Sequence, residues 1–118
     1  MKYLVKHEEL ELGTFNPDDR VTRVFHGEDH GVSTVSCILS ETPPGFGAPE
    51  HTHSYDEVFV IHEGCGRFTV EGIVVEAKAG DVVIVPAGSR HEFVNNTDEV
   101  MRHTAFHASE RVNVQRVG

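Results

Sequence analysis

Between Arg20 and Ala108 the chain meets a glycine, a proline or a short polar cluster about every eight to twelve residues. No helical periodicity bridges those interruptions, so the segments between them can pack only as short strands. Residues 20–26, 32–40, 51–62, 67–70, 73–77, 81–85, 91–95 and 100–108 are rich in β-branched or alternating apolar residues. Glu71-Gly72 sits between two such runs and predicts a tight hairpin. Val82–Val85 is β-branched throughout and reads as a buried strand. Residues 27–31 read as a polar turn, 42–49 as a loop fixed by Pro43, Pro44, Gly45, Gly47 and Pro49, and 64–66 as a turn. Met1 to Asp19 is irregular and acidic, with a turn signal at residues 16–19. It is an N-terminal arm that can add an edge strand or one swapped with a partner. Many short strands with regular turns predict an all-β sandwich or closed barrel in one domain, 1–118, with its core at about 20–108.

The chemistry is concentrated between Gly45 and Glu57, where two imidazoles and a carboxylate fall on odd-numbered positions. Side chains along a strand alternate faces with a period of two. His51, His53 and Glu57 therefore share a face if no bulge intervenes, and Asp56 points away. Three such groups converging make a candidate divalent-metal site. His91, which opens the strand after the Pro86–Gly88 turn, is the natural fourth ligand.

Two spaced patterns frame these residues. Gly45, His51, His53, Glu57 and Gly64 form the first, and Gly80, Pro86, Gly88, His91 and Asn95 the second. In order and spacing they resemble the two motifs of the cupin family, the small single-domain type with a short spacer. The resemblance implies a double-stranded β-helix, or jelly-roll, barrel. It implies a divalent ion (Fe, Mn, Ni, Zn or Co) held by His51, His53, Glu57 and His91, with Asn95 structural. It also implies a homodimer.

Composition bounds the remainder. A net charge of −9 argues against nucleic acid or an anionic membrane as partner. No long apolar run reads as a membrane span, and the charged start lacks the apolar core of a signal peptide, so a cytoplasmic location is expected. Cys37 reads as a small buried hydrophobe, and Cys65 as part of a turn. His103 and His107 share parity on the last strand, so either can face the barrel interior; His107, in a His-x-Ser ending, and Tyr55 are the candidate proton carriers. Phe46 is a candidate to close the barrel mouth. His7, His26, His30 and His62 have no partner pattern and read as solvated surface. The expected function is a metalloenzyme (a dioxygenase, an isomerase or an enzyme of related enolate chemistry) acting on a small oxygenated or carbonyl-bearing metabolite. The alternative is a non-catalytic, metal-dependent small-molecule binding module or sensor subunit.

Overall fold

The computed structural model describes residues 3–13 and 22–116. Two antiparallel sheets face each other. One has the order β1 (Glu11–Leu12), β2 (Arg23–Phe25), β3 (Ser36–Thr42), β10 (Met101–His107), β5 (Glu57–Glu63) and β8 (Val82–Val85). The other runs β11 (Gln115–Arg116), β4 (Gly47–Thr52), β9 (His91–Val94), β6 (Cys65–Val70) and β7 (Ile73–Lys78). From β3 onward the chain passes from one sheet to the other at every step except the β6–β7 hairpin, which is the jelly-roll arrangement. The turn signal at residues 16–19 lies outside the described residues; Glu11–Leu12 of the arm forms an edge strand of its own sheet by pairing with β2.

Alternation fills the space between the sheets. Phe59 and Ile61 of β5, Met101 and Ala105 of β10, Phe68 of β6, Ala77 of β7, and Val83 and Val85 of β8 form one buried cluster. Ile38, Val70 and Phe93 close over it. Phe68 and Phe93 stack with ring centroids 5.3 Å apart, and Phe59 tilts against Phe68 at 5.0 Å. The hairpin at Glu71-Gly72 is as expected: both residues have positive φ, 49° and 78°, the pair of left-handed conformations that a two-residue connection of this twist demands.

Four local expectations are corrected. Val82–Val85 is an edge strand, and only Val83 and Val85 point inward; Val82 and Ile84 are 56% and 69% exposed. A β-branched run suits a pleated surface whether one or both of its faces are covered. Cys65 and Gly66 belong to β6, not to a turn, and Gly66 is buried with no room for a side chain, since a Cβ there would meet the Met101 sulfur at 2.7 Å. Residues 27–30 wind into a short 3₁₀ helix. The expected loop ends early, because β4 begins at Gly47 and accommodates Pro49 where its register with β9 shifts between Ala48 and His51. A bulge of that kind spares proline a ladder hydrogen bond it cannot make.

The edge assignment of β8 is testable by denaturant unfolding. Val85→Ala should cost about 2 kcal/mol, and Ile84→Ala less than about 0.5 kcal/mol. Equal costs would show that both faces of β8 are covered.

Candidate metal centre

The chain crosses between the sheets at residues 53–56. β4 ends at Thr52 and β5 begins at Glu57. His51 sits near the end of β4, directly paired with His91 at the start of β9. Glu57 opens β5 in the opposite sheet, flanked by Val85 of β8 and His107 of β10. His53 lies in the crossing itself. The site thus spans one end of the sandwich, with ligands from both sheets. Glu57 faces the histidines and Asp56 does not, as parity expects, but through a turn and not along one continuous strand. Asp56 faces outward. Its carboxylate accepts from the Ala87 N–H at 2.8 Å, and its carbonyl accepts from the Ala108 N–H at 3.0 Å. The Gly88 N–H donates to the His53 carbonyl at 2.7 Å. The turn that precedes His91 is therefore pinned to the crossing that carries His53.

His51, His53, Glu57 and His91 are all buried, and one ligand atom from each lies within 4.8 Å of every other. The ring orientations are set from behind. His51 Nδ1–H donates to the Pro49 carbonyl at 2.7 Å, His91 Nδ1–H to the Ser89 carbonyl at 2.9 Å, and His53 Nδ1–H to the Asn113 carbonyl at 2.6 Å. With Nδ1 protonated, each neutral ring presents its Nε2 lone pair to the interior. His53 Nε2 and His91 Nε2 lie 3.1 and 3.0 Å from Glu57 Oε1. The distances are those of hydrogen bonds, but with the proton on Nδ1 acceptor faces acceptor, and all three atoms are buried without a hydrogen-bond partner. Buried polar atoms left in that condition are costly. A cation among them satisfies all three and offsets the carboxylate charge, so the residues present fit a divalent ion.

Titration follows the same geometry. Burial, reinforced by the neighbouring His91 and His53, pulls His51 down to about 4. Burial alone would raise Glu57, but the imidazoles of His107, His53 and His91 hold it well below the usual carboxylate range. Burial would likewise lower His91, yet contact with Glu57 and the Ser89 carbonyl raises it. Tyr55 is pushed up to about 12, first by burial and also by the Glu57 charge.

The other expected site residues separate. His107 is buried with Nε2 3.1 Å from Glu57 Oε2, and its Nδ1 lies 2.8 Å from the Tyr55 hydroxyl. Both therefore border the cluster, on the side away from Oε1. His103 faces the interior four residues earlier on β10, about 13 Å along the strand, where its Nε2 meets Thr42 Oγ1 at 3.0 Å. Phe46 precedes the first residue of β4, at the opposite end of that strand from His51, and does not cover the ligands. Asn95 is structural, its amide donating to the Thr42 and Glu99 carbonyls. His7, His30 and His62 are exposed, but His26 is buried and accepts from the Val112 N–H at 3.2 Å, so its surface assignment is corrected. Asn113, which supports His53, has no motif signal: it acts through its backbone.

Residues 38–107 match the family described as Cupin domain. An acireductone dioxygenase of Synechococcus sp. (strain CC9605) is 48% identical over 48 residues, 37% of this chain and 26% of that protein. A gentisate 1,2-dioxygenase of a Streptomyces species is 33% identical over 78 residues, 65% of this chain and 22% of that protein. The chain thus spans about a quarter of each of these two relatives. The solved polyketide cyclase RemF from Streptomyces resistomycificus superposes with a TM-score of 0.77 at 20% identity, over 100% of this chain and 87% of that one, a likeness of fold.

The opposed shifts of His51 and His91 predict proton release when a divalent ion binds. Contact with Glu57 favours a proton on His91 that an ion must displace, whereas burial disfavours one on His51. Calorimetric titration with Mn²⁺ near pH 6.5, in buffers of different ionisation enthalpy, should show net proton release, with affinity falling as pH drops. Buffer-independent heats would contradict the assignment.

Proposed function

The chain belongs to the cupin family, and we propose that it is a metal-dependent dioxygenase acting on a small, oxygen-rich metabolite that can chelate a cation. The observation that carries this reading is the convergence of three back-anchored imidazoles and Glu57 Oε1 on one point. Dioxygenases among its relatives support the reaction class. A bound divalent ion supplies Lewis-acid activation of a chelating substrate and, if redox-active, electrons toward dioxygen.

His51, His53, Glu57 and His91 hold that ion, as one carboxylate and three neutral imidazoles. His107 and Tyr55 manage a proton beside Glu57. A carboxylate only accepts, so the imidazole proton belongs at His107 Nε2 facing Oε2, and Tyr55 then donates to His107 Nδ1. Tyr55 keeps its proton at neutral pH, because burial raises its pKa. The pair thus fixes Glu57 and stores one proton at Nε2.

His91→Ala should retain the fold by circular dichroism and lose bound metal after reconstitution. Wild-type metal content in that variant would remove His91 from the ligand set. The anaerobically Fe²⁺-loaded protein should consume oxygen with at least one of acireductone, gentisate, catechols or β-diketones. Stoichiometric metal with no uptake across this panel would sink the dioxygenase reading and favour a non-catalytic binding module.

A further inference from the structure

Two of the three imidazole anchors are local: the carbonyls of Pro49 and Ser89 each lie two residues before the histidine they hold. The third comes from Asn113, sixty residues beyond His53 and past the 38–107 span that matches the family. Residues 109–116 leave β10 and cross to the other sheet, where Gln115 and Arg116 pair with Thr52 and His51. They are fastened along the way. The Ser109 carbonyl accepts from Ser36 Oγ at 2.8 Å, and the Glu110 carbonyl accepts from the Glu28 N–H at 2.8 Å. Arg111 pairs with Glu28 at 2.8 Å. Val112 buries its side chain and donates its N–H to His26 Nδ1.

The backbone of Asn113 then reaches the metal centre in two directions. Its carbonyl holds His53 Nδ1, and its N–H donates to the Tyr55 hydroxyl at 2.9 Å. Tyr55 turns its own hydrogen to His107 Nδ1 at 2.8 Å, a shorter contact than its 3.3 Å alternative to the Asn113 carbonyl. His107 in turn faces Glu57 Oε2. One peptide segment thus bears on the orientation of two ligands, one in the crossing between the sheets and one at the start of β5.

We infer that residues 109–116 are a strap that orients His53 and Glu57 through the backbone of Asn113, and that His26 is the positioning residue that anchors it. The assignment of His53 and Glu57 as metal ligands rests on the function proposed above. His26 serves only with its Nδ1 lone pair free. Burial first, then Arg111 of the strap, favours that neutral state, against the opposing charges of Glu11 on β1 and of Asp29 and Glu28 in the 3₁₀ helix.

The test uses the full-length chain and three substitutions. His26→Ala and His26→Leu remove the acceptor, the second while filling its volume. His26→Asn places an amide oxygen near the position of Nδ1. Mn²⁺ affinity is measured by titration, the His53 Nδ1–H by imidazole ¹H–¹⁵N spectra of the metal-free protein, and folding by thermal melts. In whichever of His26→Ala and His26→Leu is folded, Mn²⁺ binding should weaken about tenfold and the protected His53 Nδ1–H signal should be lost. His26→Asn should restore both to within about twofold. A variant that only lowers the melting temperature, with the signal and the affinity unchanged, overturns the inference, as does a folded His26→Asn that rescues neither. A wild-type protein that binds no Mn²⁺, yet shows the same loss and rescue of the His53 signal, would sink the metal reading and leave the strap's hold on His53 standing.

Discussion

The Glu57 carboxylate is a negative charge taken out of water, and its surroundings are arranged around that fact. Lone burial of an ionised carboxylate costs several kcal/mol even after relaxation. Here its two oxygens divide the labour. Oε1 faces His53 and His91, and Oε2 faces His107. The three contacting imidazoles come from the sheet crossing, β9 and β10, so the charge joins the two sheets at the end where their apolar core gives out. On one side of it lies the cluster that includes Phe59 and Phe68, with Phe93 packed against it; around it His51, His53 and His91 are held by backbone carbonyls.

Backbone carbonyls, not side chains, do most of the orienting. A carbonyl behind an imidazole fixes the tautomer without adding a competing charge, which leaves Nε2 as the atom that faces a cation. It also makes ligand geometry a property of chain path. Pro49, at the register shift of β4, and Ser89, after the Pro86–Gly88 turn, place their carbonyls because the chain bends there. The prolines and glycines of the two motifs belong to the site for that reason, although none of them touches its centre.

This division explains what could be read from the chain. The four converging residues and the jelly roll were legible because histidines, a glutamate and turn residues at fixed spacing carry their meaning in side-chain identity. The parity rule chose Glu57 while missing that the strand breaks at His53. Polar Ser54 and Asp56 signal that break only to a reader who already knows the sheets change there. Val82–Val85 looked buried because β-branched residues suit a central strand and an edge strand alike. His26 looked solvated because its neighbours Gly27, Glu28 and Asp29 are turn-like; its cover is Val112, eighty-six residues away. Nothing in the type of residue 113 announces that its peptide group supports His53.

Motif residues and strap therefore carry different kinds of information. The motifs specify which side chains converge, and two of them, His51 and His91, are anchored by contacts that close within two residues. The strap adds a long-range constraint on His53 and, through Tyr55 and His107, on Glu57, leaving His51 and His91 with local anchors alone. Two ligands are then fixed by β4 and β9, and two are adjustable by sequence outside the motifs. A change in residues 109–116 can rotate an imidazole or a carboxylate by a few degrees without altering any ligand. Metal affinity and reactivity are sensitive to adjustments of that size. On this account, variation in the strap is a route by which one set of four ligands can serve different chemistries.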